Sequence, residues 1–139
     1  MTGPARLRVL IADDYGPMVA ALERLVSLDC DVVGRLADGM SLLAETKRLQ
    51  PDVLLLDLNL PGIDSLWACQ EIRRTTPSTK VIVLTGGLDP NLRPDVLAAG
   101  ASAFMEKSAA PRELLAAIAH TPAGGIPPAN DHVINRPQP

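Results

Sequence analysis

The chain has 139 residues, 47% of them hydrophobic and 21% charged, a globular composition long enough for one domain with a sizeable core. Thirteen basic against sixteen acidic residues leave a net charge of −3, and Tyr15, Trp67 and Phe104 are the only aromatic residues. Neither a basic stripe nor a set of stacking aromatics is present, so direct nucleic-acid binding is not expected. No apolar run approaches the roughly 20 residues of a membrane span, and residues 1–6 lack the apolar stretch of a secretory signal. The expected setting is the cytoplasm. Cys30 and Cys69 have no paired spacing and read as small buried hydrophobes, not as a disulfide or a zinc site.

Along the chain, residues 7–12 form an apolar strand candidate ending in Asp13-Asp14. Met18, Leu22 and Leu25, flanked by Val19 and Val26, then make the stripe of an amphipathic helix. Residues 31–36, interrupted by Gly34 and Arg35, read as a weaker strand at a sheet edge. Leu42, Leu43 and Leu49 anchor a second helix that Pro51 stops. Residues 53–58 and 80–84 are strand candidates whose runs Val53-Leu54-Leu55-Leu56 and Val81-Ile82-Val83-Leu84 are apolar without alternation, as parallel strands covered on both faces are free to be. Between them a third helix is expected over 64–75, ahead of Pro77.

A short fourth helix fits 91–99, with Asn91 as its N-cap, Pro94 in its first turn and Gly100 in the left-handed position that closes it. A last strand fits 103–105. The fifth helix starts near Pro111 and buries Leu114, Leu115 and Ile118. Residues 121–139, rich in proline and glycine, read as a mobile tail or linker. Strict alternation of strand and helix predicts an α/β fold, with a parallel sheet, right-handed crossovers and helices on both faces. In such sheets ligands sit beyond the carboxyl ends of the strands.

Those ends carry the chemistry. The first strand runs into Asp13 and Asp14, the third into Asp57, the fourth into Thr85-Gly86-Gly87, and the fifth is followed by Glu106-Lys107. Three carboxylates at one edge repel one another unless a cation lies between them, and oxygen-only ligation favours a hard ion such as Mg²⁺. Each residue alone has an ordinary explanation: a solvated acid, a surface lysine, a β-branched strand residue. Their shared position at the same end of separate strands does not.

Asp13-Asp14, Asp57, Thr85 and Lys107, with Pro61-Gly62 just past Asp57, resemble the receiver domain of bacterial two-component response regulators over about residues 6–120. The segment from Gly100 to Lys107 is similar to the NarL/FixJ version. The resemblance implies a flavodoxin-like, doubly wound sheet of order 2-1-3-4-5 with five helices. It implies that Asp57 accepts a phosphoryl group from a sensor histidine kinase or phosphotransfer protein. Asp14, Asp57 and the backbone carbonyl of Asn59 would bind Mg²⁺, with Asp13 acting mainly through water. Thr85 and Lys107 would meet the phosphoryl oxygens, and small Gly86 would leave the approach to Asp57 open. Phe104 would be the aromatic switch, its burial driven by apolar area alone because it lacks a phenolic hydroxyl. Ser65 stands where a glycine is common, with only a local effect expected. Homodimerisation through the fourth and fifth helices follows by analogy.

On the third helix, Leu66, Ala68, Cys69 and Ile72 cluster on one side and Trp67 points nearly opposite, an exposed residue of the type enriched at binding hot spots. His120, in the last turn of the fifth helix, is expected to complement the helix C-terminus. Two other functions compete. The chain could be the receiver part of a longer DNA-binding regulator. An aspartyl-phosphate phosphatase is more remote, because that chemistry commonly needs a second acid where Asn59 stands.

Overall fold

The computed structural model describes residues 6–87 and 89–120 of the chain; the expected tail, residues 121–139, lies outside them. Five strands, β1 (Arg8–Ala12), β2 (Asp31–Leu36), β3 (Val53–Asp57), β4 (Lys80–Thr85) and β5 (Ala103–Glu106), form one parallel sheet of order β2-β1-β3-β4-β5. Helices α1 (Gly16–Val26), α2 (Leu42–Leu49), α3 (Ser65–Thr75), α4 (Arg93–Ala98) and α5 (Pro111–His120) fill the crossovers.

Strand residues divide by parity between two cores, since successive side chains of a strand point to opposite faces. Leu10, Ala12, Leu54, Leu56, Val81 and Val83 join Leu42, Ala68, Cys69, Ile72, Val96 and Phe104 on the side of α2, α3 and α4. Val9, Ile11, Val53, Leu55, Ile82 and Leu84 meet Leu22, Val26, Leu114 and Ile118 on the side of α1 and α5. Every residue of β3 and β4 is buried, which explains their unbroken apolar runs. The edge strand β2 is only half covered, as its Gly34-Arg35 interruption foretold. Both cysteines are free and buried.

Helix ends largely follow the local signals. Asp64 caps α3 by accepting from the Leu66 and Trp67 amides. Gln50 closes α2 in the left-handed conformation, immediately before Pro51. Gly100 has φ +114, a conformation that a side chain would strain. The start of α4 corrects the expectation for Asn91. Asp89 is the cap instead, its carboxylate accepting from the Asn91 amide at 2.9 Å, and a 3₁₀ turn, Pro90–Leu92, precedes the α-helix. Pro90 explains the shift: its fixed φ and missing N–H suit the first position after a cap, and Asp89 is the acceptor just ahead of it.

The C-terminus of α5 carries a contact beyond the one the sequence suggested. His120 is exposed in the last turn. Lys80, at the foot of β4 and 1% exposed, donates from Nζ to the carbonyls of Ala117 (2.9 Å) and Ile118 (2.6 Å). A buried ammonium thus meets carbonyls that a helix leaves without intrahelical donors. Burial pulls this amine down to about 8.

Candidate functional site

Parallel pairing brings the carboxyl ends of β1, β3 and β4 to one edge. Asp13 continues β1 by one residue, its amide donating to the Leu36 carbonyl at 2.9 Å. Asp57 is the last residue of β3 and pairs in register with Leu84. Lys107 follows β5 and is fixed to β4 by its amide, 2.7 Å from the Thr85 carbonyl. Three segments distant in sequence therefore place their functional groups together.

Asp13, Asp14 and Asp57 each present a carboxylate oxygen within 4.8 Å of the others. Asp13 and Asp57 are buried and Asp14 is exposed, so the cluster has two deep oxygens and one at the solvent side. Lys107 Nζ stands 2.8 Å from Asp13 Oδ2 and 3.3 Å from Asp57 Oδ2. Burial alone would pull the ammonium down, but the two carboxylates outweigh it and hold the Lys107 pKa above the ordinary lysine value. One ammonium against three carboxylates leaves the cluster negative. Asp13 Oδ2, buried, has no hydrogen-bond donor beyond that ammonium among the described residues. An all-oxygen set with net negative charge fits a hard divalent cation.

The Asp57 end of β3 is fixed by its own turn. Asp57 Oδ1 accepts from the Asn59 amide at 3.0 Å, and the Asp57 carbonyl accepts from the Leu60 amide at 3.1 Å. Ser65 adds a third bond: its hydroxyl, 3% exposed, donates to the Asp57 carbonyl at 2.8 Å. The sequence reading gave Ser65 no part in the site. No local signal reveals this contact, because it depends on how α3 docks beneath the β3 turn.

Thr85 is buried at the end of β4, and its hydroxyl exchanges bonds with its own loop, donating to the Gly87 carbonyl (3.1 Å) and accepting from the Gly87 amide (3.3 Å). Gly86 is exposed, with nothing within 4 Å of where a Cβ would stand. Phe104 is 2% exposed, but apolar area is not all that holds it. The Arg93 guanidinium lies over its ring, 5.6 Å from the centroid, and donates to its backbone carbonyl at 3.0 Å. These two residues line a 530 Å³ cavity with Glu106 and Glu113, and Asp13, Asp14 and Asp57 are not part of its lining. A 330 Å³ cleft borders Asp13 and Asp14 beside α1. Trp67 is exposed as expected, at 47%, while Ala68, Cys69 and Ile72 on the same helix are buried.

Residues 9–119 match the family model described as the response regulator receiver domain. The chain belongs to the response regulator receiver family. Among its relatives, this receiver is 34% identical over 115 residues to the response regulator GacA of Pseudomonas viridiflava, a match covering 81% of the chain and 53% of GacA. It is 33% identical over 114 residues to the response regulator UvrY of Escherichia coli K12, covering 81% and 52%. The chain thus spans about half the length of these curated relatives. In structure it resembles the signal receiver domain of the putative response regulator NarL from Mycobacterium tuberculosis, with TM-score 0.78, 30% identity, and coverage of 83% and 94%. RcsB from Salmonella enterica, solved bound to a promoter with a phosphomimetic, gives TM-score 0.75 and 29% identity over 82% of this chain and 67% of that one. The NarL/FixJ resemblance and the doubly wound fold are borne out. Among the described residues no helix is long and apolar enough to cross a membrane.

Proposed function

We propose that Asp57 is the phosphoacceptor of this receiver, taking a phosphoryl group from a phosphohistidine of a sensor kinase or phosphotransfer protein in a Mg²⁺-dependent reaction. The meeting of Asp13, Asp14 and Asp57 with Lys107 at one sheet edge carries this reading. A carboxylate oxygen of Asp57 forms the new P–O bond as the P–N bond to a phosphohistidine protonated on its other ring nitrogen breaks, the bonding pair staying on nitrogen and leaving an acyl phosphate and a neutral imidazole. Asp14, Asp57 and the Asn59 carbonyl would hold the metal, with Asp13 in support. When bound, the ion would supply positive charge to the phosphoryl oxygens in the loose transition state.

Lys107 neutralises the same oxygens, its amine already 2.8 Å from Asp13 Oδ2 and 3.3 Å from Asp57 Oδ2. The acyl phosphate carries about −2 where the carboxylate had about −1, so Lys107 leans further toward position 57 after transfer. Thr85 turns its hydroxyl to the new oxygens and gives up both bonds to Gly87. The loop before α4 is released, and the Arg93–Phe104 contact carries the change to β5. Phosphorylation thus selects between two packings of one surface, in a signalling domain of the cytoplasm, not a conventional enzyme. Homodimerisation through α4 and α5 would use this surface.

A second reading concerns output: the receiver serves as the input part of a regulator about twice its length, as its coverage of GacA and UvrY favours. The acceptor is tested by acid-labile incorporation of label from acetyl phosphate with Mg²⁺. Asp57→Asn is expected to abolish incorporation without unfolding the protein, and undiminished labelling of that variant overturns the reading.

A further inference from the structure

Ser65 occupies the first position of α3, and its hydroxyl reaches out of the helix to the backbone of the proposed acceptor. The Asp57 carbonyl already receives the Leu60 amide at 3.1 Å, and the Ser65 hydroxyl at 2.8 Å fills its second lone pair. The carboxylate is held from the same turn by the Asn59 amide at 3.0 Å. The hydroxyl is mounted rigidly, because Asp64 caps the helix end on which it sits with bonds of 2.9 and 3.0 Å to Leu66 and Trp67. At the first helical position Ser65 has no carbonyl of its own helix three or four residues back to take its hydroxyl, as Thr75 has in the Glu71 carbonyl. Ser65 instead bonds eight residues back, to the one residue whose carboxylate must face an incoming phosphorus atom.

We propose that Ser65 is a positioning residue for phosphoryl transfer: it ties the end of α3 to the Asp57 backbone and so sets the direction of the attacking carboxylate. This rests on Asp57 being the acceptor. Near-attack geometry is steep, and a small misalignment of the nucleophile slows transfer without weakening the hold on the donor. Ser65 bonds to the Asp57 backbone and to no carboxylate oxygen of the three acids, nor to Lys107, in any bond described, so its loss should act on rate and not on affinity.

The experiment measures phosphorylation of the full chain by acetyl phosphate at saturating Mg²⁺, for wild type, Ser65→Ala, Ser65→Gly and Ser65→Thr. Both variants without the hydroxyl are expected to lose about tenfold in maximal rate, the worth of one hydrogen bond, with the half-saturating acetyl phosphate concentration unchanged. Threonine keeps the hydroxyl and should restore the rate. Glycine guards against a fold defect peculiar to alanine, and all rates are taken where circular dichroism reports folded protein. If the hydroxyl-free variants match wild type in rate while melting earlier, Ser65 is merely structural and the proposal falls. If wild type itself takes no label, the acceptor reading falls first and this one with it.

Discussion

At the scale of single residues, the glycines after Thr85 separate a demand of the fold from a demand of the site. Gly62 and Gly100 have positive φ, whereas Gly86 has neither positive φ nor a neighbour within 4 Å of a Cβ position. The backbone therefore does not require glycine at 86, and an alanine there reduces the freedom of the unfolded chain at no steric cost. Gly86→Ala is expected to leave stability equal or raised by about 0.5 kcal/mol in urea unfolding. On the proposed reading of Asp57 as acceptor, with position 86 beside its approach, the added methyl should slow labelling by acetyl phosphate several-fold. A variant both less stable and equally fast would contradict the argument.

The residues legible from sequence at this scale were those at strand ends. Asp13, Asp14, Asp57, Thr85 and Lys107 each follow an apolar run, so the alternation that identified the strands also located them. Ser65 was not legible, because its partner lies across a turn and a helix start. Arg93 was missed for the same reason: nothing local ties the first residue of α4 to the ring and carbonyl of Phe104.

At the scale of elements, α5 depends on a lysine from β4. The Lys80 ammonium is buried against the Ala117 and Ile118 carbonyls, and desolvation lowers its pKa to about 8 from an ordinary value of 10.5. Between those values the unfolded chain binds more protons than the folded one, so this group makes stability rise with pH, while below about 8 its cost is present in full. Burial raises the thiols, Cys69 to about 12 from 9.0, and they oppose the trend above about pH 9 because the folded chain then keeps protons that the unfolded one releases. The window for Lys80 is thus pH 8 to 9. There, wild type should gain up to roughly 1 kcal/mol relative to Lys80→Met, measured as the difference in urea-unfolding free energy at the two pH values. Equal slopes for the two proteins would refute the assignment. The same element shows why Asn91 misled: both Asp89 and Asn91 are cap-forming residues, and the position of Pro90 in the folded turn decides between them.

At the scale of the whole molecule, the candidate metal site spans the sheet. Its acids come from the ends of β1 and β3, and the amine that pairs with them is anchored to β4 through the Thr85 carbonyl. These groups converge only when the strands are paired, so a cation held by the cluster binds the folded chain in preference to the unfolded one. Mg²⁺ at about a hundred times its dissociation constant should add about 2.7 kcal/mol of stability. The melting temperature should then rise on the order of 10 °C in thermal unfolding and fall back on adding a chelator. Asp13→Asn and Asp14→Asn should each blunt the rise, and a melt indifferent to Mg²⁺ would remove the metal from the account.

The sequence by itself determined the alternation of strand and helix, the buried character of β3 and β4, the half-covered edge at β2, and the end of the sheet at which chemistry gathers. All of these are written in periodicity and in punctuation by proline, glycine and acids, which act over a few residues. Tertiary structure alone decided which groups touch: Lys107 nearer Asp13 than Asp57, Ser65 on the Asp57 carbonyl, Arg93 on the Phe104 ring, Lys80 on the last turn of α5. Those contacts join residues from different elements, and their geometry follows from how helices settle on a twisted sheet, which no local run of side chains encodes.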